Sequence, residues 1–218
     1  MFLQYPMHMD VHSSTKDWKH ESDEALMLAY AKDGNQTAFT ILYSRYKNSL
    51  YRYCVRMLND EGLGADIYQE AWSRLIKNRE KYELKAKFKT YIFHIAHNLI
   101  IDAWRKRHSQ GEKIHLVSIE NNDDSGQTLE LMANSDVFNE IQSEEQLLQF
   151  QFAIQQLTHE QRDAVLLHYS QGFTLQQIAD MESVGRETIK SRLRYATKKL
   201  KDLVSTMNEL GTLSEVQS

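Results

Sequence analysis

The side chains of this chain that are best placed to do chemistry are cations and aromatic rings suited to phosphate and base, not a nucleophile beside a base. Near the C-terminal end, Arg186, Glu187, Thr188, Lys190, Ser191, Arg192, Arg194 and Lys198 are interleaved with Ile189, Leu193, Ala196, Leu200, Leu203 and Val204. On a helical projection the apolar set falls on one side, and Glu187, Lys190, Ser191, Arg194, Lys198 and Lys201 fall on the other. A solvated helix face ordinarily mixes both signs for pairing, whereas this outward set is nearly all cationic, as contact with a phosphate backbone requires. Arg186, Glu187, Thr188, Lys190 and Ser191 lie early enough in the helix to reach base edges. Arg192, Arg194 and Lys198 are expected to meet phosphates.

A second basic zone carries Lys85, Lys87, Lys89, Arg105, Lys106, Arg107 and Lys113 against Asp102 and Glu112, with Tyr82, Phe88, Tyr91, Phe93 and Trp104 interleaved. Rings that stack on unpaired bases beside cations that follow the phosphates are the requirements of single-stranded DNA binding. Phe93 and Trp104 are expected to pack in a core. Phe88 and Tyr91, at a loop-helix junction, fit either role. The signals for catalysis are weak by comparison. The single cysteine, Cys54, sits beside an apolar stripe and reads as a buried hydrophobe, which also excludes an internal disulfide. His8, His12 and His20, and the pair His94 and His97, lack a complete set of metal ligands at suitable spacing. The segment GLGAD at 62–66 resembles a phosphate loop only in its glycines, because no strand precedes it. No enzyme, metal site or cofactor is therefore expected.

These residues need helices to position them. One proline, Pro6, and eight glycines in 218 residues leave little to interrupt helices, and the expected class is all-α, with two small helical domains joined by an acidic linker. Residues 1–22 read as a loosely ordered leader. Residues 23–108 read as a four-helix domain. Ser22 caps the first helix; a stripe of Phe39, Leu42, Tyr46, Leu50, Tyr53 and Met57 marks the second; the third follows Gly62-Leu63-Gly64; the fourth carries Tyr91, Ile92, Ile95, Ala96, Leu99, Ile100 and Ala103. The linker, 109–142, opens a stretch to Glu145 with nine carboxylates against Lys113 alone. Residues 143–207 form a second domain, in which Thr158 with Gln161 and Thr174 with Gln177 match capping boxes, and 208–218 form a tail. Its last two helices, joined through Gly185, have the plan of a helix-turn-helix. A net charge of -4 does not exclude nucleic-acid binding, because the distribution of charge decides it. The chain has no apolar run of membrane-spanning length and no secretory start, so a cytoplasmic protein with no membrane insertion is expected.

Three segments together resemble the sigma-70 family of transcription initiation factors. ADIYQEAWSRL resembles the signature helix of region 2, FKTYIFHIAHNLIIDAWRKR the segment after it that reads and melts the -10 element, and LTHEQRDAVLLHYSQGFTLQQIADMESVGRETIKSRLRYATKKL region 4. With no intervening domain, the chain is similar to the extracytoplasmic-function group. The resemblance implies that Asp66, Gln69 and Glu70 bind core RNA polymerase. It further implies that Lys87, Phe88, Lys89, Tyr91, His94, Asn98, Arg105 and Arg107 serve the -10 element and melting of promoter DNA, and that the terminal helix-turn-helix reads the -35 element. An anti-sigma factor is an implied partner. The sequence departs from the family where Thr158 replaces a common Pro, Tyr91 a Trp and His97 an Arg, and the last change puts one DNA contact in doubt. The alternative is a self-sufficient helix-turn-helix regulator, against which the helical front half counts, because a receiver fold would alternate strands and helices.

Overall fold

Ser22 accepts a hydrogen bond from the Ala25 N–H at 3.2 Å and starts helix α1 (Asp23–Asp33). Gly34 ends it with φ 65°, a left-handed conformation that glycine adopts without Cβ strain. Asn35 then caps α2 (Gln36–Leu58), and Asp60 caps α3 (Glu61–Lys77) through the Leu63 N–H at 3.0 Å. These coordinates are a computed structural model that describes residues 17–109 and 144–215. The leader up to residue 16, the acidic stretch 110–143 with Lys113, and residues 216–218 lie outside the described residues.

α3 begins earlier than its sequence suggests. The chain reverses at Asn59 (φ 51°), so Gly62 and Gly64 stand inside the helix. Gly64 is there for proximity: a Cβ on it would lie 2.7 Å from the Val55 Cα, so its absence lets α2 and α3 pack closely. A loop with a short 3-10 turn at Arg79–Lys81 leads to α4 (Phe88–Ser109), whose first N–H, from Phe88, is accepted by Glu24 of α1 at 2.9 Å.

The second domain consists of α5 (Glu144–Gln155), α6 (His159–Val165) continued by a π turn at Leu166–Ser170, α7 (Leu175–Glu182) and α8 (Arg186–Glu215). Both capping boxes form, and Thr158 supplies an acceptor to the Gln161 N–H. α8 runs to Glu215, into the segment that the sequence assigns to a tail.

The apolar stripes largely meet as the periodicity requires. Leu42, Leu50, Tyr53 and Met57 of α2 are buried with Ile67, Ala71, Trp72 and Leu75 of α3. α4 departs from a one-sided helix: Phe93 and His97 are buried alongside Ile92, Ala96, Leu99 and Ile100. The second domain covers its other side, and the buried residues of both domains join in one cluster. Cys54 is fully buried, and burial pushes its thiol up to about 12, which keeps it protonated.

Candidate nucleic-acid interface

The helix-turn-helix is fixed from below. Thr174 starts α7, Ser183 turns the chain in a left-handed conformation, and Ile178, Ala179, Ile189, Leu193 and Ala196 bury the common face. This leaves Arg186, Glu187, Thr188 and Lys198 of α8 exposed and Lys190, Ser191 and Arg194 half-buried. Glu187 lies 3.7 Å from Arg186 and 3.6 Å from Lys190, so it moderates the positive start of the helix. The Arg194 guanidinium lies 4.9 Å from the Tyr195 ring centroid.

Arg192 differs from the expectation. It pairs with Glu182 of α7, and the two side chains are 15% and 8% exposed. Arg192 fastens the two helices of the motif and is not free for a phosphate. It sits one residue from Leu193, at the border of the buried arc, where a cation can turn to either side.

In the first domain, Lys87 is exposed and Tyr91 half-buried, edge to face with Tyr82 at 5.2 Å. The Phe88 ring is fully buried against Tyr46 at 5.2 Å, so it packs in the core and is closed to base stacking in this arrangement. The Lys89 ammonium donates to the Gln171 carbonyl of the second domain and lies 5.2 Å from the Phe173 ring. Arg107 donates to the Asp60 carboxylate at 2.7 Å, which helps to hold that cap below the usual carboxylate range after the Leu63 N–H. Arg105 is exposed, 3.6 Å from Asp102, and His94 and Asn98 are exposed and 3.3 Å apart. His94 and Asn98, with Arg105, face a cleft of about 970 Å³ whose opposite wall is His159, Asp163 and Glu182. Trp104 packs on His159 at 4.6 Å, and Phe93 lies between Tyr53 (5.3 Å) and Phe173 (5.5 Å), so both rings are packing residues.

Asp66 and Gln69 of α3 are exposed one turn apart, and Glu70 beside them is half-buried and accepts from Arg74 at 2.9 Å. That bond holds the Glu70 carboxyl below its ordinary range. The surface they share is acidic and faces away from the core.

Sequence reasoning missed a polar junction between the domains. The Tyr53 hydroxyl donates to Asp163 at 2.8 Å, and the other oxygen of Asp163 lies 2.8 Å from the His97 ring nitrogen. Arg162 donates to the carbonyls of Ile154 (3.2 Å), Gln155 (2.9 Å) and, in the first domain, Met57 (2.9 Å). A carboxylate and an imidazole on apolar faces, Asp163 before Ala164 and Val165 and His97 after Ala96, were the available signals, since buried charges need partners. Among the described residues no group of three or more potential metal ligands converges, and no helix is long and apolar enough to cross a membrane.

Comparison with known proteins agrees with this geometry. Residues 42–110 match the model for Sigma-70 region 2, and residues 153–202 match that for Sigma-70, region 4. The chain is 40% identical over 76 residues to the ECF RNA polymerase sigma factor SigW of Bacillus subtilis, a match spanning 35% of this chain and 41% of that protein. It is 24% identical to SigX of the same organism, over 80% of this chain and 87% of the relative. Identity to SigL of Mycobacterium tuberculosis is 28%, over 78% and 89%. Among solved structures, CnrH in complex with the cytosolic domain of CnrY shares the fold with a TM-score of 0.60 at 18% identity, covering 85% of this chain and 99% of that one. The sigma factor RpoE in complex with the anti-sigma factor NepR from Bartonella quintana does so at 0.57 and 21%, covering 77% and 96%. The chain belongs to the sigma-70 family, in its extracytoplasmic-function group with regions 2 and 4, and as such is a non-enzymatic subunit that directs promoter recognition by RNA polymerase.

Proposed function

We propose that the domain at 23–108 docks on core RNA polymerase through Asp66, Gln69 and Glu70 and engages the -10 element, while the domain at 143–207 reads the -35 element. The observation that carries this reading is the division of exposed charge: an acidic surface on α3, and on α8 a cationic face presented by a helix-turn-helix. At the start of α8, Arg186, Glu187, Thr188, Lys190 and Ser191 meet base edges, with Arg194 and Lys198 on phosphates. In the first domain, Lys87 and Arg105 follow the backbone, and Tyr91, His94 and Asn98 meet unpaired bases near the start of α4. Lys89 joins them once Gln171 is released, whereas Phe88, Arg107 and Arg192 support the surfaces from behind. The protein works in the cytoplasm with the polymerase. An anti-sigma factor is its regulatory partner, as in the named complexes of its structural neighbours.

The test is co-purification with core RNA polymerase that lacks any other sigma factor, followed by transcription from a pool of genomic fragments. The expected result is stable association and new, defined start sites. Failure to associate, with tight sequence-specific DNA binding by the chain alone, would overturn the reading in favour of a self-sufficient regulator.

A further inference from the structure

The contacts between the two domains have a common property: several hold residues that the proposed function needs elsewhere. Lys89 is engaged by Gln171, and the α4 face bearing His94, Asn98 and Arg105 looks across a cleft at α6 and α7. Distance gives the same result. A packed body of the 165 or so described residues has a radius of gyration of about 15 Å and a diameter of about 40 Å. Elements centred 25 base pairs apart are separated by about 85 Å at ~3.4 Å per pair. The packed chain cannot reach both.

We infer that the buried junction of Tyr53, His97 and Asp163, with Glu182 behind it, is a clasp that holds the two domains in a promoter-incompetent arrangement and opens when it loses a proton. This rests on the promoter-reading assignment only for the consequence of opening; the opening itself does not depend on it. The geometry is that of a charge placed between carboxylates. Asp163 of α6 takes a hydrogen bond from Tyr53 of α2 and lies 2.8 Å from His97 of α4, and the His97 and Asp163 side chains are only 6% and 3% exposed. Glu182 of α7 has one oxygen held by Arg192 of α8, and its other oxygen is buried without a hydrogen-bond partner. In the closed state His97 and Arg192 are the cations of the junction, beside Asp163 and a Glu182 that can hold a proton. When His97 is neutral and Glu182 has lost its proton, Arg192 alone faces two carboxylates.

The other titratable and charged groups around the cleft lie beside one another, Arg105 by Asp102 at 3.6 Å and His159 by Glu160 at 2.9 Å. His94, on the same face of α4 as His97, has its ring held below the ordinary range by partial burial and by the His97 charge. Burial opposes the charged form of His97, but the close approach and charge of Asp163, with the charge of Glu182, outweigh it and raise the ring above its ordinary 6.5. Burial, and then the Asp163 charge, raise Glu182 to about 7. The sign follows: a histidine raised in the closed state contributes its full stabilisation below pH 6.5 and loses it as pH rises through the raised value. A carboxyl raised in the closed state acts in the same direction, since the closed form binds the extra proton. In that window the closing constant falls about tenfold per pH unit for each proton released.

The experiment uses the full chain, labelled with a donor and an acceptor dye at Lys32→Cys and Asp202→Cys, both exposed. Buried Cys54 does not compete for label. Energy transfer is read from pH 6 to 8.5 without polymerase or DNA, so the result is independent of promoter use. The clasp predicts a steep fall in transfer with rising pH, retained helical circular dichroism throughout, and low transfer at every pH in Asp163→Asn. His97→Asn, which keeps a donor and cannot titrate, and Glu182→Gln should each flatten the profile. Transfer that is constant from pH 6 to 8.5, or a pH profile unchanged in the His97→Asn, Glu182→Gln double variant, would overturn the inference.

Discussion

Replacing Arg192 with Ala separates two roles that one side chain cannot fill together. Were Arg192 a phosphate contact, its loss would lower the slope of log K against log salt by about 0.9 and leave stability nearly unchanged. The structure turns it inward on Glu182, with exposures of 15% and 8%. Removing one partner of a buried pair costs about 3–5 kcal/mol when the orphaned charge has no escape. Glu182 has one, because its carboxyl sits at about 7 and can take a proton. As pH falls below that value the carboxyl takes up its proton, so at pH 6 Arg192→Ala removes less charge pairing and the loss is about 1 kcal/mol. At pH 8 the native carboxylate is ionised and paired. The variant must then hold it bare or bind a proton, at about 1.4 kcal/mol per pH unit, and the loss grows to about 2–3 kcal/mol.

Urea denaturation followed by helical circular dichroism at pH 6 and pH 8 measures the first quantity. Salt titration of binding to a duplex carrying the -35 element measures the second. Lys198→Ala is the control: its side chain is exposed, so it should keep full stability and lose about 0.9 from the slope. The reasoning is refuted if Arg192→Ala lowers the slope by that amount with its denaturation midpoint unmoved at both pH values.

Reversing Asp66 and Glu70 to Lys should weaken association with core polymerase at least tenfold, measured by competition with the unaltered chain, while the melting curve stays in place because both side chains lie outside the core. Gly64→Ala should destabilise the chain by about 2 kcal/mol in urea denaturation, since the new Cβ meets the Val55 backbone at 2.7 Å and forces α2 and α3 apart. Thr174→Ala removes the acceptor for the Gln177 N–H at 3.2 Å and should cost about 1 kcal/mol in the same measurement.

Local structure was legible where local physics decides it. The capping boxes at Thr158 and Thr174 and the stripes of α2 and α8 follow from side-chain type and spacing alone. The start of α3 misled because glycines ordinarily mark a break, whereas these two lie within the helix and Gly64 admits a neighbouring helix. Tertiary contact erased the two-faced pattern of α4. Its second buried side, Phe93 and His97, is completed by another domain, and a one-dimensional pattern does not contain that domain. Arg192 shows the same limit at the scale of one residue. A helical projection places it at an edge, and only the position of Glu182 turns it inward.

Beside the apolar cluster that the two domains share, a set of discrete polar bonds joins them. Polar bonds can be exchanged for others of similar strength. Lys89 cannot donate to the Gln171 carbonyl and neutralise a DNA phosphate at the same time, so its two partners exclude each other. Exclusion at equilibrium is reciprocal: whatever the closed arrangement subtracts from promoter affinity, promoter binding subtracts from the stability of the closed arrangement. His97, buried against Asp163, gives that balance a side chain that can gain or lose a charge.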